Sequence, residues 1–241
     1  MNSLSEIWDS EIWDRATATQ PVPGVEVVLG TGLIALVLVL APVTWPRVRL
    51  GVTVVHEAGH ALVGVLVGRR LKSVHLHSDT SGLTITSGKP RGPGMVAMLA
   101  AGYLAPAALG LVAALLLAAG RSVGLLWLLV VLTALLLLWV RNGYGFLVLL
   151  AGGAGVLLLT WYGDGTVQSV AAYLITWLLL LAAPRPLVEL LTAGRRRGRT
   201  SDPDQLARLT RIPAVLWILA LLLANLTGLV VGVTTLAPDV A

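Results

Sequence analysis

Long runs of apolar residues constrain the fold of this chain more than any other feature of its sequence. One of them, LLWLLVVLTALLLLWV at residues 125–140, contains no charged side chain. Charged residues make up 12% of the whole chain, whereas about 25% is typical of a soluble domain. In the hydrocarbon core of a bilayer, every backbone polar group must find its partner within the protein. The sequence therefore predicts an integral membrane protein of the all-α, polytopic class.

The number of spans follows from the lengths of the apolar runs. A membrane-spanning helix needs about 20 mostly apolar residues. Residues 1–24 are predicted to form an acidic N-terminal tail, and residues 25–241 a single membrane-embedded domain. Within that domain we predict about seven transmembrane helices, at residues 25–45, 50–68, 94–119, 123–140, 144–162, 167–183 and 212–236.

Two polar segments interrupt the apolar runs. Residues 69–93 contain SVHLH and GLTIT, which alternate in polarity and predict a small β-hairpin between the second and third spans. Residues 184–211 form a basic loop that includes an arginine run at 195–199. Because basic loops stay on the cytoplasmic side, we predict both segments and the N-terminus inside, and the C-terminus outside. Topology thus accounts for the net charge of +5, and no nucleic-acid partner is expected.

Ionisable side chains within the second apolar run are the strongest functional signal. The stretch GVTVVHEAGHALVGVLVG, residues 51–68, carries His56, Glu57 and His60 near its middle. Residues i and i+4 share one face of a helix, so the two imidazoles can bind a single metal ion. The HExxH pattern places two zinc ligands beside a general base, and ionisable groups at membrane depth mark functional sites. We predict one Zn²⁺ ion, with Glu57 taking the proton of a zinc-activated water.

A hydrolytic zinc site needs a third protein ligand. The two remaining histidines, His75 and His77, lie in the predicted hairpin, where exposed histidines are usually only solvated. The better candidates are Asp202 and Asp204, which precede the last apolar run. Ser201 with Asp204 three residues later predicts a capping box, and Asp202 is then the preferred third ligand. The chain has no cysteine, so thiol ligands and disulfides are excluded.

Three stretches of the sequence resemble one protein family. HEAGHALVGVLVGRRLKSVHL resembles the motif helix and the following β segment of the site-2 proteases, zinc metalloproteases that cut peptide bonds within membranes. AGYLAPAALG, residues 101–110, resembles the start of their next core helix. SDPDQLARLTRIPAVLW, residues 201–217, resembles the acidic segment of the shorter bacterial branch. The resemblance covers residues 50–217.

The resemblance implies a function and a set of site residues. It implies an intramembrane zinc metalloendopeptidase, with His56, His60 and Asp202 as metal ligands and Glu57 as the general base. The better-known members place the aspartate in an L-D-G context, which is absent here. The expected location is a bacterial plasma membrane. The expected partners are the lipid bilayer and a membrane-protein substrate, either single-span or like a signal peptide.

Two other functions are consistent with the same residues. In a divalent-metal transporter the histidines and aspartates would line a path for the ion. Transporters usually contain paired repeats, and the sequence has no second HExxH-like copy. A non-catalytic membrane scaffold would leave Glu57 without a role. In a protease, an edge of the predicted hairpin could bind an extended substrate by β-augmentation.

Overall fold

A computed structural model of the protein describes residues 12–193 and 200–237, so the arginine run at 195–199 lies outside the described residues. The protein is mostly helical and has one small antiparallel sheet, as predicted. In chain order the elements are α1 (Val25–Leu40), α2 (Trp45–Leu66), β1 (Arg70–Leu76), β2 (Gly82–Ser87), α3 (Pro93–Ala118), α4 (Ser122–Leu137), α5 (Gly143–Tyr162), α6 (Gly165–Ala182), α7 (Arg185–Ala193), α8 (Asp202–Thr210) and α9 (Ala214–Leu236).

Within the described residues, four helical segments are long and apolar enough to cross a membrane. They are α3, α5, the stretch from α6 through α7, and α9. Helices α1 and α2 pass this test only together, and they are bent by 99° relative to each other. Helix α4 has 16 residues, about 24 Å, against a hydrocarbon thickness of about 30 Å. The predicted count of seven spans is therefore not confirmed.

Proline chemistry explains the bend between α1 and α2. Ala41 ends α1 in an extended conformation, with φ −69° and ψ 127°, and it precedes Pro42. A residue before proline is sterically disfavoured in the helical region, so α1 cannot continue through this position. Pro46 lies in the first turn of α2, where a proline needs no amide hydrogen.

The hairpin is held in place on both of its sides. Strand β1 pairs with β2, and its other edge pairs with the connection between α4 and α5. There the amide of Val74 donates to the carbonyl of Trp139 at 2.9 Å. The side chain of Asn142 bonds both the amide and the carbonyl of Leu76, at 3.2 and 2.6 Å. In the described part of the chain, β2 is consequently the open edge of the sheet.

The bundle has two distinct ends. The hairpin end carries the sheet, the α4–α5 connection, α7 and α8, whereas the far end carries the connections after α3 and α5. At the far end the amide of Gln20 donates to the carbonyl of Gly120, and Leu236 packs in the same cluster as Leu117. Both described ends of the chain thus lie at the far end. The placement of the termini on the two sides of a membrane stays a prediction.

Candidate metal centre

Two histidines of α2 and the first residue of α8 converge at one point. The ligand atoms of His56, His60 and Asp202 all lie within 4.8 Å of one another. Nε2 of His56 lies 3.0 Å from Nε2 of His60, and Oδ2 of Asp202 lies 3.1 and 3.2 Å from these two nitrogens. The structure therefore brings together the three side chains that the sequence predicts as metal ligands.

Two glycines allow α2 and α3 to approach each other closely beside the two imidazoles. A Cβ at Gly102 of α3 would overlap ring atoms of His60 and lie 2.7 Å from Cε1 of His56. A Cβ at Gly59 of α2 would lie 2.8 Å from the carbonyl oxygen of Ala101. The HEAGH and AGYLA stretches thus fit against each other because each contributes a glycine at the contact.

The orientation of His60 suits a metal ligand. Its Nδ1 donates a hydrogen bond of 2.7 Å to the carbonyl oxygen of Met98, which can only accept. Nδ1 therefore carries the proton, and the lone pair of Nε2 points at His56 and Asp202. A second hydrogen bond of this kind commonly fixes the tautomer of metal-binding histidines.

The spacing of the ligand atoms suits zinc. With zinc–ligand bonds of about 2.0–2.1 Å, the atoms of a tetrahedral site are about 3.3 Å apart. The separations of 3.0–3.2 Å between the Nε2 atoms and Oδ2 are close to this value. Two nitrogens and one carboxylate oxygen form a common donor set for catalytic zinc, and they leave one coordination position open. The residues present fit the ion.

Asp202 and Asp204 have different surroundings. Ser201 and Asp204 form the predicted capping box, in which the Ser201 hydroxyl and amide donate to Oδ2 of Asp204 at 2.5 and 3.2 Å. Asp202 instead faces the two imidazoles. Burial raises the pKa of Asp202, but the close contacts of its carboxylate with the imidazoles of His56 and His60 hold it below its ordinary value. Asp202 is therefore ionised, as a carboxylate ligand must be.

Glu57 is buried beside the ligands and contacts strand β2. Only 4% of its surface is exposed. The hydroxyl of Thr84 donates to its Oε2 at 2.5 Å and lies 3.2 Å from its backbone carbonyl oxygen. Gly82 lies against the carboxylate as well, since a Cβ there would lie 2.5 Å from Oε1.

The candidate metal centre lies at a cavity of about 700 Å³. Residues of strand β2, α7 and α8 line this cavity. Helix α3 contributes Tyr103, whose ring stacks edge-on against His56 with 4.7 Å between the ring centroids. The cavity is large enough to admit a short extended peptide segment beside the ligands.

The alternative ligands lie elsewhere. Nε2 of His75 is 3.0 Å from the hydroxyl of Ser73, and Nδ1 of His77 is 3.3 Å from the hydroxyl of Ser81. Neither histidine belongs to the group of ligand atoms described above. Three contacts of the site, those of Thr84, Met98 and Tyr103, were not predicted from the sequence. A signal for Thr84 was present, because GLTIT was predicted as a strand directly following the motif helix.

Comparison with known proteins places the chain in a family. No curated protein and no solved structure matched it. A family model for Peptidase M50B-like proteins matches residues 29–232, which include every residue of the metal centre. The resemblance to site-2 proteases is thereby confirmed, whereas the narrower bacterial branch is not. The chain belongs to the Peptidase M50B-like family, a site-2 protease family.

Proposed function

We propose that this chain is an intramembrane zinc metalloendopeptidase that hydrolyses peptide bonds of membrane-embedded substrates. The observation that carries the proposal is the convergence of His56, His60 and Asp202 beside the buried carboxylate of Glu57. Membership in a metalloprotease family supports the same chemistry. The candidate membrane span α3 contributes Met98 and Tyr103 to the site, which supports a substrate that is itself in the membrane.

The proposed roles follow from the chemistry of each side chain. A single zinc ion held by the three ligands would supply Lewis acidity, which acidifies water and polarises a carbonyl group. Glu57 removes the proton from the attacking water as the carbon–oxygen bond forms. The carboxyl group of Glu57 then gives this proton to the amide nitrogen as the carbon–nitrogen bond breaks. Burial excludes bulk water from the carboxylate and fixes its position for both steps.

Strand β2 is the proposed docking edge for the substrate. Val74 and Leu76 direct their backbone groups away from β2, toward the α4–α5 connection. In an antiparallel pair the residues opposite them must also point outward, and these are Thr84 and Gly82. Both line the cavity. A substrate unwound into an extended strand could therefore pair with them, which would expose its peptide bonds to the site.

We propose that the protein lies in a bacterial plasma membrane. The hairpin end of the bundle is proposed to face the cytoplasm. The sheet, α7, α8 and the connections at this end carry nine of the thirteen described arginines and lysines, whereas the far end carries Arg15 and Arg121. Basic residues accumulate on the cytoplasmic side of membrane proteins. Because residues of the hairpin, α7 and α8 line the cavity, water for hydrolysis would reach the site from the cytoplasm. The proposed substrates are single-span or signal-peptide-like membrane proteins.

Glu57→Gln provides the decisive experiment. The purified variant should stay folded and bind one zinc ion per chain, but lose cleavage by about 100-fold or more, because a general base contributes about 10²–10⁴-fold. Peptides from candidate membrane segments in detergent provide the assay, and mass spectrometry of membranes from cells that express the variant should reveal the uncut substrates. If Glu57→Gln cleaved as fast as the unchanged protein, or if neither bound zinc, the proposal would be wrong. Zinc binding without cleavage by either protein would leave a metal path as the better explanation of the ligands.

A further inference from the structure

Glu57, the general base of the proposed reaction, accepts a hydrogen bond from the hairpin. In the part of the chain that the structure describes, Thr84 is the one residue that donates a hydrogen bond to the Glu57 carboxylate. His60, by comparison, is oriented by a backbone carbonyl of α3. The position of the carboxylate thus depends on the hairpin rather than on the helix bundle.

The backbone of β2 also limits the position of the Glu57 carboxylate. The absence of a side chain at Gly82 leaves room for the carboxylate of Glu57, which a Cβ there would contact at 2.5–2.7 Å. Gly82 and Thr84 are two residues apart, so they lie on the same face of β2 and meet the carboxylate from one side. Together they define where the carboxylate can lie.

We propose that Thr84 is a positioning residue for Glu57, and that β2 thereby couples substrate docking to the placement of the base. The inference rests on the proposed function. The backbone groups of Thr84 face the cavity, where a substrate strand would bind, while its hydroxyl holds the base. A substrate that pairs with β2 therefore stabilises the strand that orients Glu57.

A purely structural role makes a different prediction. The Thr84 hydroxyl also lies near the Glu57 backbone carbonyl, so it could simply fasten the hairpin to α2. Thr53 provides a matched control, because its hydroxyl fastens the hairpin by donating to the carbonyl of Thr80 at 2.8 Å. The Thr53 hydroxyl donates to this carbonyl and not to the Glu57 carboxylate. Replacing either threonine with valine removes one hydroxyl at nearly constant volume.

The experiment compares Thr84→Val, Thr84→Ser and Thr53→Val in the full-length protein. For Thr84→Val we expect kcat to fall by about 10- to 100-fold, with KM changed by less than about threefold, because the base is misplaced while binding is kept. Zinc content should stay at that of the unchanged protein. Thr84→Ser should restore kcat to within about threefold, and Thr53→Val should keep it within the same range.

Other outcomes would contradict either the role of Thr84 alone or the proposed function as a whole. If Thr84→Val kept a normal kcat, lost zinc, or behaved like Thr53→Val, Thr84 would not position the base, although the protein could still be a protease. If Thr84→Ser failed to restore kcat, the hydroxyl would not be the group responsible. If the unchanged protein cleaved no membrane segment, the proposed function would fall, and the role of Thr84 with it.

Discussion

Gly102 of α3 lies directly against the imidazole of His60, with no space for a side chain between them. The same glycine faces the ring of His56, so one residue of α3 shapes the position of both imidazoles. The candidate metal centre consequently depends on how closely two helices approach, as well as on the spacing of the proposed ligands within one helix.

Gly102→Ala should therefore displace the imidazole of His60 and weaken metal binding. We expect zinc affinity to fall by about 10- to 100-fold, the range found when the support of a metal ligand is removed. Zinc titration of the purified protein measures this change. Gly152→Ala in α5 is the control, because a Cβ there meets nothing within 4 Å. Equal zinc affinity in the two variants would contradict the prediction.

Replacing each of the two aspartates at the start of α8 should have a different effect. Asp202→Asn should lower zinc affinity by more than about 100-fold, since loss of even a supporting partner costs about 10- to 100-fold. Asp204→Asn should keep zinc and lower the free energy of unfolding by about 1 kcal/mol, because it weakens the capping box. Metal analysis and thermal unfolding measure the two effects.

The double variant His75→Ala/His77→Ala controls for the remaining histidines. It should bind zinc as tightly as the unchanged protein, since neither side chain joins the ligand group. If Asp202→Asn kept its zinc and this double variant lost it, the assignment of the third ligand would be overturned.

Local patterns in the sequence were sufficient to predict the local parts of the site. The spacing of His56 and His60 fixes their common helix face, and the Ser201–Asp204 pattern predicted the capping box. Because Asp204 was predicted to form that cap, Asp202 was preferred as the third metal ligand without any knowledge of packing. Strand alternation in SVHLH and GLTIT likewise predicted the hairpin.

Contacts between elements distant in sequence could not be predicted in this way. The Thr84–Glu57 bond joins residues 27 positions apart, and the His60–Met98 bond joins residues 38 positions apart. Neither leaves a periodic signal, because each depends on how the hairpin and α3 pack on α2. The count of seven spans was not confirmed for a related reason, since hydropathy measures the length of a run and not the bend after Ala41.

The orientation of the bundle is open to a direct test, because the chain contains no cysteine. Single cysteines at Ser87, exposed at the hairpin end, and at Thr166, exposed at the far end, should react with a membrane-impermeant maleimide from opposite sides. We expect Ser87→Cys to be labelled only after the cytoplasmic face is opened, because the basic connections at the hairpin end favour that side. Thr166→Cys should be labelled in intact cells. Labelling of Ser87→Cys in intact cells would place the cavity on the outer face, and both variants reacting from one side would show that the bundle does not cross the membrane between these ends.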